Sequence, residues 1–249
     1  MSGHSKWATI KHKKGAADKA RGKLFAKLAR QIEVAAKSGG EIDSNPTLRT
    51  AVQKAKAERM TNDAIDRAVK RGTGEGGDGV NYETIMYEGY APGGVALMID
   101  VLTDNRNRIS AEVRQIFTKL GGSLAEPGAV GWQFARKGQI ITVEGIEEDD
   151  VMMAALEAGA DDVCVEGGGW RVTTDPSIVY EVKQALDEAG IETISVGSPL
   201  VSENLVPVTD LADAKAILRI MEALEDNDDV QDVFSNFDIS EELMEEAMS

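Results

Sequence analysis

The 249-residue chain predicts an α+β fold: an N-terminal three-helix domain followed by two α/β domains, at least one of them ferredoxin-like (βαββαβ). Three observations predict it. Apolar residues recur at helical spacing in three stretches before residue 72. A run rich in glycine follows, from Gly72 to Gly79. Beyond it, short β-branched runs alternate with helical ones, and from Gln139 to Val201 their order is β-α-β-β-α-β. The domains expected are 1–72, a basic helical domain with a flexible N-terminal arm; 73–81, a glycine-rich linker; 82–134 plus 205–249, an α/β domain; and 135–204, an inserted ferredoxin-like domain.

Residues 1–15 hold no helical or strand period and form the arm. Ala16 to Lys37 is expected as a helix, with Leu24, Leu28, Ile32 and Ala35 inward and Lys19, Lys23, Lys27 and Arg30 in a row of their own. At about 100° per residue that row centres roughly 150° from the apolar stripe, so one face packs and the opposite face shows cations. Ser38-Gly39-Gly40 ends the helix. Asn45 caps a second helix with Pro46 in its first turn, and Thr61 or Asn62 caps a third that ends at Lys70-Arg71-Gly72.

Tyr82 to Tyr90 and Val95 to Leu102 are two strands joined closely enough to pair as an antiparallel hairpin. Thr103-Asp104-Asn105 caps a helix to Leu120, and an extended piece follows from Leu124 to Phe134. The ferredoxin-like order comprises strand 139–143, helix 148–158, strands 163–165 and 170–173, a helix opened by Asp175-Pro176, and strand 193–201. In the helix at 148–158, Val151, Met152, Ala155 and Leu156 are expected on one side. A short strand at 205–208, a helix capped by Asp210 and a strand at 230–236 lack a sheet of their own. The hairpin and helix of 82–122 have the complementary lack, so the two pieces are expected to complete each other.

Charge separates the head from the rest. Residues 1–72 hold 17 Lys/Arg against 7 Asp/Glu, a net of +10, and the remainder 10 against 36, a net of −26, which together give the formal −16. A basic head on an acidic body points to a polyanion, most commonly nucleic acid. Apolar content of 42% supports packed cores, and aromatic content of 5% makes them aliphatic. The single cysteine, Cys164, excludes an intrachain disulfide and a Cys-based zinc cluster. No signal peptide and no membrane-spanning run is readable, so the expected location is the cytoplasm.

No catalytic constellation, metal site or cofactor motif stands out. No P-loop is present, the carboxylates are spread over helix faces and caps, and Cys164 reads as a buried structural thiol. His4 and His12 lack a third ligand nearby. The nucleic-acid-binding candidates are Lys6, Trp7, Lys11, His12, Lys13 and Lys14 of the arm, and Lys19, Lys23, Lys27 and Arg30 of the first helix. The arm reads either as a segment that orders on phosphates with Trp7 stacked on a base, or as a tail packed back on the first helix. Arg106 and Arg108 join the candidates because they sit where a strand meets a helix N-terminus. There they either hold a phosphate or pin the head domain, or are simply two exposed arginines beside a helix capped by Asp104 or Asn105; capping needs only one such residue, and two arginines at a helix start oppose its dipole, which favours a role.

Met1-Ser2-Gly3-His4-Ser5-Lys6-Trp7 followed by Ile10-Lys11-His12-Lys13-Lys14 resembles the N-terminal signature of the YebC/PmpR family. So do Tyr87-Glu88-Gly89-Tyr90-Ala91-Pro92-Gly93-Gly94-Val95, Thr103 to Arg108, Glu112-Val113-Arg114 and Gly121-Gly122. The resemblance runs the length of the chain and departs at Ala91, commonly glycine in the family, and at Ala129, commonly serine. It implies three domains and a non-enzymatic regulator of gene expression, usually described as a probable DNA-binding transcriptional regulator. Mitochondrial relatives are translational activators, and bacterial ones have been linked to relief of ribosome stalling. The alternatives are thus a duplex-DNA-binding regulator, a ribosome-associated RNA-binding translation factor, or an enzyme or ligand sensor using the α/β body. The lysine-heavy helix suits backbone contacts, which position a protein without reading sequence.

Overall fold

A computed structural model describes residues 17–75 and 81–248. Its first unit is three helices: α1 (Ala17–Ala36), α2 (Pro46–Ala57) and α3 (Asn62–Gly72). Leu28, Ile32, Leu48, Val52, Ala55, Ile65 and Ala68 form its core. Asn45 joins two of these helices. Its side-chain oxygen accepts from the Leu48 amide at 3.1 Å, capping α2, while its amide nitrogen donates to the Ala35 and Gly39 carbonyls at 2.8 Å each, closing the end of α1. Gly72 lets α3 end directly against α1, because a Cβ there would fall on the Glu33 carbonyl and the Ala36 methyl.

Leu24, expected inward, is 36% exposed. At 20 residues α1 is roughly 30 Å long, while its 12- and 11-residue partners reach about 18 Å, so its first turns overhang the small core.

The second unit has a four-stranded antiparallel sheet in the order β11-β2-β1-β3, formed by β1 (Glu83–Ala91), β2 (Val95–Thr103), β3 (Ser123–Ala125) and β11 (Val230–Ser235). The hairpin β1–β2 runs in register from Glu83↔Thr103 to Ala91↔Val95. It turns through Pro92–Gly94, where Gly93 and Gly94 both take positive φ (73° and 77°), a region open to glycine. Helices α4 (Arg106–Leu120) and α7 (Leu211–Glu225) cover one face, burying Leu97, Ile99, Val113, Phe117, Ile217 and Leu224. On the other face Met98 and Phe234 meet Val130 of the loop that follows β3. The chain leaves through β4 (Phe134–Arg136) and returns through β9 (Leu200–Ser202), which pair antiparallel. A parallel pair, β10 (Val206–Val208) with β12 (Phe237–Ile239), and the short helix α8 (Glu241–Ala247) complete the chain.

Between β4 and β9 lies the third unit: β5 (Gly138–Thr142), α5 (Glu148–Glu157), β6 (Asp162–Glu166), β7 (Gly169–Thr174), α6 (Val179–Glu188) and β8 (Thr193–Gly197). The sheet order β6-β7-β5-β8, with every neighbour antiparallel, is the ferredoxin-like arrangement. The fold is therefore α+β, with a three-helix head and two α/β units.

Three local features differ from the expectation. The strand expected from 193 to 201 is two strands in different pairings, split at Ser198-Pro199, where proline has no N–H to continue a ladder. In α5 only Val151 and Ala155 are buried, while Met152 and Leu156 are 36% and 45% exposed, because the helix meets its sheet along a single i, i+4 line. The helix opened by Asp175-Pro176 begins only at Val179, since Asp175 first closes a turn by accepting from the Ser177 amide at 2.8 Å.

Candidate nucleic-acid interface

The candidates Lys6, Trp7, Lys11, His12, Lys13 and Lys14 lie outside the described residues, as does most of the expected linker. Lys19 lies in the first turn of α1. The other three cations of the row do not face away into solvent as expected. They meet the acidic loop that follows α7. Lys23 Nζ donates to the Asp226 carbonyl at 3.0 Å and pairs with its carboxylate at 3.2 Å. Lys27 Nζ donates to the Glu225 carbonyl at 2.8 Å, and Arg30 to the Asp228 carbonyl at 2.9 Å. The physical reason is the end of α7, where the carbonyls of Glu225 and of the C-cap Asp226 have no intrahelical donor and carry the negative end of the helix dipole, while Arg30 reaches the Asp228 carbonyl in the loop beyond. A row of cations one helical turn apart satisfies them.

Gln31 to Gln231 at 3.1 Å and Lys54 to Asp232 at 3.3 Å extend this contact between the head and β11. Arg30 also lies over the Tyr82 ring, 5.2 Å from its centre.

Asp229 is the centre of the contact. One carboxylate oxygen accepts from Arg30 at 3.1 Å; the other accepts from Thr103 at 2.7 Å and Arg108 at 2.5 Å. Burial alone would raise this carboxyl, but the hydrogen bonds from Arg108 and Thr103 and the charges of Arg108 and Arg30 outweigh it and hold it below the ordinary range. Arg108 is thereby joined to the head through a shared carboxylate, and its second partner, Asp104, sits 2.9 Å away. Asn105 caps α4 by accepting from the Arg108 amide at 3.1 Å. Arg106 stays exposed in the first turn, with no acidic partner among the described residues. The structure thus brings Lys23, Lys27, Arg30 and Arg108 together around one acidic loop, and leaves Arg106 apart.

Sequence reasoning missed the outer face of α4. Asn107, Ser110, Ala111, Arg114, Gln115 and Lys119 line one shallow groove along it. The available signal was the absence of acid: the helix has a single carboxylate, Glu112, which points to the other flank, where it accepts from Asn227 at 2.7 Å.

It also missed the loop 126–133. There the buried Glu88 carboxylate accepts from the backbone amides of Gly128, Val130 and Gly131 at 2.6, 2.7 and 2.8 Å. Burial raises this carboxyl, yet the three amides more than offset it and keep it below the usual value. The loop so fixed presents Trp132, which is 73% exposed. Nearby, burial and the charge of Asp232 push Asp100 up to about 6, against the lowering effect of Arg136 and Lys54.

Cys164, expected buried, is partly exposed at the edge strand β6. Its thiol donates to Asp162 at 2.9 Å, and that bond, with burial second, raises its pKa and keeps it protonated. Among the described residues, no group of three or more His, Cys, Asp and Glu could hold a metal ion, and no helix is long and apolar enough to cross a membrane.

The family model of the TACO1/YebC protein N-terminal domain matches residues 5–75, and that of the TACO1/YebC second and third domain matches residues 82–237. A "probable transcriptional regulatory protein" of Halothermothrix orenii is 53% identical over 250 residues, spanning 99% of this chain and 98% of its own. One of Rubrobacter xylanophilus, under the same description, is 54% identical over 248 residues and 99% of each chain. The crystal structure of a conserved hypothetical protein from Aquifex aeolicus superposes with a TM-score of 0.79 at 42% identity, covering 90% of this chain and 93% of that one.

Proposed function

The chain belongs to the TACO1/YebC family, and on that premise we propose that it is a non-enzymatic, nucleic-acid-binding regulator of gene expression that acts in the cytoplasm as a DNA-binding transcriptional regulator. The observation that carries this reading is the concentration of positive charge in residues 1–72 of an otherwise strongly acidic chain. The similar proteins of H. orenii and R. xylanophilus carry the description of transcriptional regulators. In this reading the arm residues from Lys6 to Lys14, with Lys19 and Arg106, meet phosphates. Lys23, Lys27, Arg30 and Arg108 hold the head on the body. The head, 1–72, is one domain beyond a linker, 73–81; 82–134 and 205–249 form a second; and 135–204 is inserted in it. In support, β11 pairs with β2 while β4 and β9 pair beside each other.

A second reading, a ribosome-associated RNA-binding translation factor, is favoured by one observation. Three cations of the α1 row are engaged by the loop after α7, so the contact to a polyanion passes to a lysine-rich arm with Trp7, a composition suited to irregular RNA. A competition at physiological salt among duplex DNA, ribosomal RNA and intact ribosomes for one labelled protein separates the two. The transcriptional reading expects duplex DNA to compete best. Tight ribosome association with weak DNA binding overturns it.

A further inference from the structure

We propose that the outer face of α4 is a DNA-reading surface that enters the major groove of a duplex, an inference that rests on the nucleic-acid reading above and goes beyond it by naming the element and the form of the partner. The face consists of Asn107, Ser110, Ala111, Arg114, Gln115 and Lys119, spaced by alternate steps of three and one, or four, along a 15-residue helix. That spacing puts them on a single stripe about 18 Å long.

Four properties single this face out. Its charge stands out from the acidic body: residues 73–249 hold 36 Asp and Glu, yet the stripe has none and carries two cations, with Arg106 exposed at its start. Its chemistry is that of base recognition. Arginine pairs with the O6 and N7 of guanine through two donors, asparagine and glutamine pair with adenine through a donor and an acceptor, and a small residue such as Ala111 at mid-face lets the backbone come close.

It is also rigid. The opposite side of α4 buries Ile109, Val113 and Phe117 at no more than 1% exposure, Asn105 caps its start, and Ser110 is tied to the sheet by a 2.5 Å hydrogen bond with the Tyr87 hydroxyl. Finally, the stripe lacks the large aromatic and aliphatic anchors that concentrate energy at the centre of protein interfaces.

These properties favour DNA over RNA. An α-helix about 10–12 Å across fits the roughly 12 Å major groove of B-form DNA, whereas the major groove of A-form RNA is too deep and narrow for side chains to read. The helix N-terminus, with Arg106, meets a backbone phosphate at the groove edge. The remainder of the positive charge, in the head and its arm, supplies the affinity that does not depend on sequence.

The test is a selection from a random-sequence duplex DNA library with the full chain, followed by binding of the selected duplex and of an unrelated duplex by the double variant Arg114→Ala/Gln115→Ala. Thermal unfolding of the variant checks that it folds; both side chains are exposed, so the transition is expected where the natural chain has it. The expected result is an enriched motif for the natural chain and a roughly 10- to 100-fold loss by the variant on the selected duplex, with little change on the unrelated one. Lys119→Ala is expected to weaken both duplexes alike. A motif that the double variant retains overturns the α4 proposal and leaves DNA binding standing. Duplex binding with no enriched motif does the same. Failure to bind duplex DNA, with binding to ribosomal RNA or ribosomes instead, overturns the proposal together with the transcriptional reading.

Discussion

Replacing Arg30 by Met keeps most of the side-chain volume of α1 and removes the cation at the centre of the head–body contact. Three hydrogen bonds are lost, to the Leu102 carbonyl at 3.3 Å, the Asp228 carbonyl at 2.9 Å and the Asp229 carboxylate at 3.1 Å. A bond to a charged partner contributes about 1.5–3 kcal/mol. The Arg30 and Asp229 side chains are only 20% and 9% exposed, so solvent does little to screen their pair. Asp229 keeps Thr103 and Arg108, however, and is not left as a bare buried charge. The expected loss of docking energy is therefore about 2–3 kcal/mol, or roughly 30- to 160-fold in the opening equilibrium of the head.

Hydrogen exchange followed peptide by peptide is the assay: amides of α1 and of residues 225–231 should exchange faster in the variant, while β5 to β8 serve as an unchanged internal reference. Of the groups that hold the Asp229 carboxyl below its ordinary range, Arg108 and Thr103 belong to the body and Arg30 alone to the head, so only the smaller Arg30 share is docking; it is present above about pH 4 and is lost as the pH falls through the folded value. The variant should show a smaller acid-induced opening than the natural chain. If α1 exchanges at the same rate in both proteins at neutral pH, the contact does not hold the head and this reasoning fails.

Three further outcomes are expected. Asp100→Asn should stabilise the protein at pH 8 by about 2–3 kcal/mol and not at pH 4 in urea unfolding, since the natural carboxyl, raised to about 6 between Asp232, Arg136 and Lys54, loses folded-state stability as pH rises from its unfolded value through 6; equal stability at pH 8 rules this out. Glu88→Gln places an amide where three backbone N–H groups need an acceptor, and should loosen the loop and reduce stability by about 1–3 kcal/mol, with a change in Trp132 emission; an unchanged melting point and spectrum would refute it. Gly72→Ala should cost about 1–3 kcal/mol by pushing α3 off the Glu33 carbonyl, whereas the same change at Gly74, where φ is +85° but the space is open, should cost less; equal effects would show that the close approach is not required.

Much of the fold was legible because local chemistry and periodicity agree with the final packing. Asn45, Asn105 and Asp210 cap where their residue types suggest, and Gly93-Gly94 permits the hairpin that its flanking runs imply. What escaped the sequence depends on what lies opposite. The burial of Leu24 depends on how far α2 and α3 extend along α1, which their spacing does not encode. A row of Lys23, Lys27 and Arg30 has the same sequence whether it meets phosphates or the carbonyls at and just beyond the end of α7, since both are rows of negative acceptors matched by cations one turn apart. The α4 face is a pattern of omission, the lack of carboxylates, and becomes visible only once Glu112 is seen to point elsewhere.

The position of β11 has a consequence for synthesis. Its partner β2 ends at Thr103, while β11 starts at Val230, about 127 residues later in the chain. At about 5–20 residues per second, the ribosome leaves β2 without this neighbour for roughly 6–25 s, long enough for the ferredoxin-like unit to emerge and fold in between. During that interval the free edge of Leu97, Ile99 and Val101 is a nascent-chain surface open to mispairing with another strand. The order in which the chain emerges therefore leaves the central sheet to be closed by β11, the last of its four strands to leave the ribosome.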